Sequence, residues 1–238
     1  MPWLSTLLFS DGASREKFRR ERGAILKTMP IARFYPILDT ELLARRRMRP
    51  EEAAAALLSG NAKTVQFRHK QHFTESVFAV AERIATLCRA AGAQFVLNDR
   101  ADLARLIPDA GLHVGQRDLA PADARAVIGP GRMLGFSTHN GEQLRSAAGE
   151  PVDYVALGPI FPTGSKRNPD PALGVEMLRT LRPLAGTRPL VAIGGITLGT
   201  ASAVYAAGAD SIAVIGDLFP ENATPAAVER RARAWTEL

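Results

Sequence analysis

Near residue 66 the chain reads Gln66-Phe67-Arg68-His69-Lys70. In an extended segment successive side chains leave on opposite faces, so Gln66, Arg68 and Lys70 share one face while Phe67 and His69 take the other. With Val65 and Phe67 turned toward a covering layer, the three polar groups point inward, where two cations repel each other unless an anion lies between them. The arginine fork and the lysine point charge both suit phosphate oxygens. The alternative is a strand tip that fans its charges into solvent. Further on come Asn98-Asp99-Arg100 and, after His113-Val114-Gly115-Gln116-Arg117, Asp118. Carboxylates on the tips of adjacent strands, about 4.8 Å apart, can share one hard cation. Magnesium is commonly held by one or two carboxylates with substrate phosphates filling its shell. Each aspartate also has a plainer reading: Asp99 as a surface ion pair with Arg100, and Asp118 as a helix-start residue ahead of Leu119-Ala120-Pro121.

Other segments have the composition of a phosphate site. The run from Gly158 to Lys166 combines glycines, the hydroxyls of Thr163 and Ser165, and a lysine, although it matches no P-loop spacing. Gly194-Gly195-Ile196 and Ile215-Gly216-Asp217 place glycines where exposed backbone N–H groups and a helix N-terminus can hold a phosphate. Ser137-Thr138-His139 closes another apolar run. His139 reads first as a structural histidine or hydrogen-bond donor, with proton transfer as the alternative. Cys88, on a helical run from Thr74 to Ala91, has no activating neighbour and reads as core or surface filler.

These residues can meet only if the elements carrying them converge. After residue 30 short apolar or β-branched runs alternate with helical stretches in eight pairs. The runs are Phe34 to Leu38, Thr64 to Arg68, Gln94 to Leu97, Leu112 to Val114, Met133 to Ser137, Tyr154 to Leu157, Leu190 to Ile193 and Ser211 to Ile215. Helix punctuation lies between them: Pro50-Glu51-Glu52 opens one, Gly60 follows its end, Ala91-Gly92-Ala93 and Ala207-Gly208-Ala209 stop two others, and Thr224-Pro225 opens the last. Eight βα units too apolar to be half-exposed predict a single-domain (βα)8 TIM barrel over residues 31–238. Polar groups then stand at or just beyond the C-terminal end of nearly every strand, where barrels place their active sites. An open doubly wound sheet would want a glycine-rich turn after the first strand, and Asp39-Thr40-Glu41 is not one. Residues 1–30 have no place in the count and read as an extension of unknown role, either frayed or an added amphipathic helix.

The 238 residues are 46% hydrophobic and 23% charged, a globular composition with a formal charge of +6. No apolar run nears the ~18 residues a membrane span needs, and the opening Met1 to Phe9 lacks the features of a secretory leader. A single cysteine fits a reducing cytoplasm. The arginine clusters carry no interleaved aromatics, so nucleic acid is not an expected partner. Small polyanionic substrates and plain surface decoration both remain open as accounts of the charge, and a homo-oligomer is left open.

Taken together, the motifs from about Arg33 to Phe219 resemble the thiamine-phosphate synthase family. The resemblance rests on Gln66-Phe67-Arg68-His69-Lys70, Asn98-Asp99-Arg100, His113 to Asp118, Gly158 to Lys166 and Ala192-Ile193-Gly194-Gly195-Ile196, in the family's order. It implies that the hydroxymethylpyrimidine diphosphate is held by Gln66, Arg68, Lys70, Asn98 and Lys166. Asp99 and Asp118 are implied as Mg²⁺ ligands, and Ser137 as a contact to the pyrimidine or its departing diphosphate. Thr163, Ser165, Gly195, Ile215 and Gly216 match positions that bind the thiazole phosphate. Of these, Arg68, Lys70, Ser137 and Lys166 would carry the catalytic stabilisation. Ser165 stands where the family more often has threonine, and Gly216 stands where serine is common. Within the same barrel family a thiazole tautomerase would need no second metal-binding aspartate; a catalytically inert phosphate-ligand sensor is the rival from another class.

Overall fold

A computed structural model of the chain describes residues 31–164 and 171–238. Eight parallel strands, each hydrogen-bonded to its neighbours in sequence order, close into a barrel. They are β1 (Phe34–Asp39), β2 (Thr64–Arg68), β3 (Gln94–Asn98), β4 (Gly111–Val114), β5 (Leu134–Thr138), β6 (Tyr154–Leu157), β7 (Leu190–Ile193) and β8 (Ser211–Val214). The expected runs are all present. β1, β3 and β5 continue one residue further than their apolar runs, because Asp39 pairs with Arg68, Asn98 with His113 and Thr138 with Leu157 across the sheet. The ladder thus carries polar residues to the barrel mouth before it ends.

The barrel has two apolar layers. Val65 and Phe67 on β2, Leu97 on β3 and Leu112 on β4 join the layer beneath the helices, while Tyr35, Ile37, Val96, Met133, Tyr154, Ala156, Val191 and Ala213 form a second cluster. Strand alternation sends that second set to the barrel interior. It also sends Gln66 inward beside Tyr35, which accepts its amide hydrogen at 3.0 Å. The inward orientation expected on this face is therefore present at Gln66, whereas Lys70 lies beyond the end of β2.

Helices follow the strands: α1 (Thr40–Arg45), α2 (Pro50–Ser59), α3 (Glu75–Ala90), α4 (Ala101–Leu106), α5 (Pro121–Ile128), α6 (Gly141–Ala147), α7 (Gly174–Leu181), α8 (Leu198–Ala206) and α9 (Pro225–Thr236). Gly92 and Gly208, with φ of 63° and 102°, take the left-handed turn that ends α3 and α8. Gly60 ends α2 without it, at φ −78°. Its reason is close packing, since a Cβ there would lie 2.5 Å from the Cβ of Ala232 on α9. That contact seats α9 against α2, while Trp235 stacks on Phe34 at 5.7 Å between ring centroids. The last helix thereby covers the first strand.

At the opposite end from the strand tips, arginines bind backbone carbonyls. Arg188 donates to those of Ala147, Ala148, Glu150 and Val152 at 2.8–3.2 Å. Arg132 donates to Ala104 and Ile107 at 2.6 and 3.0 Å. Several of these oxygens lie at the C-terminal ends of α6 and α4, where a cation also meets the negative end of the helix dipole. Part of the positive charge is thus structural. Among the described residues no helix is long and apolar enough to cross a membrane. The extension expected over residues 1–30 lies outside the described residues.

Candidate active site

The polar tips of β1 to β4 form one lip of the barrel mouth. Arg68 ends β2 directly beside Asp39 at the end of β1, and the two are ion-paired. The two oxygens of Asp39 divide their work: Oδ2 takes Arg68, and Oδ1 accepts the N–H of Leu42 at 2.9 Å and caps α1. The Arg68 guanidinium is therefore held from below by a buried carboxylate. Two residues on, Lys70 is more exposed and its Nζ lies 2.5 Å from Asp99 Oδ2. His69 points the other way, with Nδ1 2.8 Å from the hydroxyl of Thr40 and its ring edge-on to Phe73.

Asp99 follows Asn98 at the end of β3 with φ +67°, a left-handed conformation that aspartate tolerates better than most residues. Its N–H donates to the carbonyl of His113 at 2.8 Å, and a tight turn returns the chain into α4. The turn brings the Asp99 carboxyl within hydrogen-bonding reach of Asp118. Burial, with the neighbouring Asp118 adding to it, pushes Asp99 up to about 6 against the opposing pull of Lys70. Asp118 is fixed by the N–H of Gly115, which donates to its Oδ2 at 2.7 Å across a turn beyond β4. The ion pair of Asp99 is with Lys70 rather than with Arg100, whose partner is Asp102. Asp118 is also not the N-cap of α5, a position held by Ala120.

Two neighbouring carboxylates beside a single ammonium are residues that could hold a hard cation. Among the described residues no cluster of three or more His, Cys, Asp or Glu exists. Asp99 and Asp118 would be the protein's share of a magnesium site, since that ion is commonly held by one or two carboxylates together with substrate phosphate. Beneath this pair Asn98 is buried, and its Nδ2 is the one buried side-chain polar atom without a partner among the described residues. An unpaired donor at the mouth of a barrel is a place for a ligand acceptor.

On β5, the next strand after this lip, Ser137 is partly buried, with Oγ 2.8 Å from His113 Nε2. The ring of His139 has its Nδ1 2.7 Å from the carbonyl of Gly158. A carbonyl can only accept, so His139 donates there and holds the loop after β6, the structural role expected first. That loop is stitched to the end of β7 by Ile160 N–H to Ile193 and Phe161 N–H to Gly194, both at 2.9 Å. Gly195, at φ +64°, has no room for a side chain, since a Cβ would sit 2.4 Å from the carbonyl oxygen of Pro162. Thr163 lies on the same loop, partly buried, and Ile215 and Gly216 follow β8. A Cβ at Gly216 would meet nothing within 4 Å. Ser165 and Lys166 lie outside the described residues.

Sequence reasoning passed over Asp39, Tyr35, Tyr154 and His113. Asp39 was visible as a carboxylate at a strand end. The other three sit inside the barrel, and only closure brings them together.

The family model described as thiamine monophosphate synthase matches residues 34–218. The thiamine-phosphate synthase of Koribacter versatilis (strain Ellin345) is 43% identical over 200 residues, covering 80% of this chain and 90% of that protein. The thiamine-phosphate synthase of Laribacter hongkongensis (strain HLHK9) is 40% identical over 202 residues, covering 84% and 93%. The structure of thiamine phosphate pyrophosphorylase from Pyrococcus furiosus superposes with a TM-score of 0.73 at 29% identity, covering 86% of this chain and 94% of the other.

Proposed function

Since the chain belongs to the thiamine-phosphate synthase family, we propose that its barrel mouth joins hydroxymethylpyrimidine diphosphate to thiazole phosphate, releasing pyrophosphate, and that it does so in the cytoplasm. The observation that carries this reading is the convergence of Arg68, Lys70, Asp99 and Asp118 on one lip, above the unpaired Nδ2 of Asn98. Cations and a carboxylate pair at that spacing suit a diphosphate with its metal. The buried, unpaired thiol of Cys88 fits a reducing compartment.

The chemistry asked of the side chains is modest. Cleavage of the carbon–oxygen bond at the pyrimidine methylene puts negative charge on the departing diphosphate, and the ring's amino group spreads the positive charge left behind. Arg68, braced by Asp39, and Lys70 present donors to that leaving group, with Lys166 as a third cation. Asp99 and Asp118 would hold Mg²⁺, which when bound supplies further neutralisation of the same charge. Gln66, Asn98 and Ser137 orient the pyrimidine end, so that the thiazole nitrogen meets the methylene carbon in line. Thr163, Ser165, Gly195, Ile215 and Gly216 hold the thiazole phosphate, largely through backbone N–H groups. Covering the mouth matters because water would capture the same carbon.

The test is direct. Purified protein is incubated with both phosphorylated substrates and Mg²⁺, and thiamine phosphate is read by fluorescence after oxidation. Product that requires both substrates is the expected result; tight binding of either substrate without turnover would overturn the assignment in favour of a sensor.

A further inference from the structure

Five polar side chains from five strands form one continuous chain through the barrel. Gln66 Nε2 donates to Tyr35 Oη at 3.0 Å, and Tyr35 Oη lies 2.7 Å from Tyr154 Oη. Tyr154 Oη lies 2.9 Å from His113 Nδ1, and His113 Nε2 lies 2.8 Å from Ser137 Oγ. Gln66, Tyr35, Tyr154 and His113 are all buried. The connection from β6 to β4 passes over β5, and Gly135 makes this physically feasible. His113, Gly135 and Tyr154 share one row of the sheet, and a Cβ at Gly135 would fall 2.0 Å from Tyr154 Cζ. The phenol lies across the glycine and stacks on the imidazole, with ring centroids 5.6 Å apart.

Donor and acceptor counting gives this chain a direction. Burial holds both phenols above their ordinary range, so each keeps its single proton near neutral pH. Tyr35 already accepts from Gln66. If it also accepted from Tyr154, its own hydrogen would have no acceptor among the described residues in a dry interior. Tyr35 therefore donates to Tyr154, Tyr154 donates to His113 Nδ1, and the histidine proton sits on Nε2, pointing at Ser137. The serine oxygen is an acceptor toward the protein, and its hydroxyl hydrogen is left to be given away at the mouth.

We propose that Tyr35, Tyr154 and His113, given their direction by the Gln66 amide that donates into Tyr35, are positioning residues that hold Ser137 as a one-way hydrogen-bond donor to the substrate. This rests on the reading of Ser137 as a substrate contact. The Ser137 hydroxyl is thus aimed by a single buried relay that begins at Gln66, before any substrate enters.

Nitrogen-15 NMR of the full chain, labelled in its four histidines, tests the direction. His113 is assigned by the signal that His113→Gln removes. A neutral ring protonated at Nε2 and bare at Nδ1 is expected; a proton on Nδ1 means the relay runs the other way and overturns the proposal. Tyr154→Phe should abolish the single-tautomer signature and lower kcat on the order of ten- to a hundredfold, with KM for each substrate within about twofold. Unchanged kcat in that variant overturns the positioning role. Ser137→Ala separates the proposal from the reading beneath it. Full activity there removes Ser137 from the substrate, and the proposal falls with it. A clear Ser137→Ala defect beside an Nδ1-protonated His113 overturns the relay alone.

Discussion

Arg68 and Lys70 sit two residues apart on the same face, yet they are held very differently, and their loss should read differently. Arg68 is braced by the buried carboxylate of Asp39, whereas Lys70 reaches Asp99 from a side chain 41% exposed. Arg68→Ala and Lys70→Ala should each weaken pyrimidine diphosphate binding by about 1.5–3 kcal/mol, the range for a hydrogen bond to an ionised group, and leave thiazole phosphate affinity intact by calorimetry. Only Arg68→Ala should also lower denaturant stability, by about 3 kcal/mol, since it strands a buried carboxylate. Equal stability in the two variants would contradict the bracing. Gly216→Ser points its side chain into open space, so thiazole phosphate binding should hold steady or tighten by up to about 1 kcal/mol. A loss beyond that scale would mean the added hydroxyl blocks the ligand. Asp118→Asn keeps an oxygen for the Gly115 N–H and removes one negative ligand. Coupling should slow and be partly restored by raised Mg²⁺, while His139→Ala, which removes a loop contact, should not abolish it. In a tautomerase the pattern would be reversed.

The strands and helices were legible because each carries its own signal: apolar runs of strand length, proline at helix starts, glycine at helix stops. Their ends shifted where a polar residue stayed in the ladder, as at Asp39 and Asn98. The diphosphate lip was legible for a related reason, since its residues lie at strand ends and strand alternation sets their face. The relay was not legible. Tyr35, His113 and Tyr154 are separated by dozens of residues, and their contact depends on the stagger that closes the sheet and on the empty place at Gly135, neither of which has a local pattern. Gly60 was recognised as a stop but for a different reason, because it seats α9 against α2. Gly60→Ala should therefore destabilise the fold by about 1–3 kcal/mol through overpacking, shifting the denaturation midpoint without changing KM for either substrate. A silent Gly60→Ala would show that the two helices separate easily.

At the scale of the molecule the barrel divides its labour between ends: arginines tie helix carbonyls on one side, while the other keeps charges that the fold itself does not favour. Asp99 shows the cost. Its carboxyl is pushed to about 6 from an ordinary 3.8, so between those values the native state binds more protons than the unfolded chain. Stability then falls as pH rises through that window, the sign opposite to a salt-bridged carboxylate with a depressed pKa. A divalent cation reverses the balance, because it binds the deprotonated pair and stabilises only the native state. Added Mg²⁺ should thus raise the melting temperature clearly at pH 7.5 and little at pH 5, and the metal-free protein should melt lower at pH 7 than the linkage-free trend would give. Asp99→Asn should flatten the slope between about pH 4 and 6 and remove most of the Mg²⁺ effect. These melting curves need no substrate, so they probe the metal pair apart from turnover. A Mg²⁺ shift of equal size at both pH values, or one that survives in Asp99→Asn, would place the cation elsewhere on the protein.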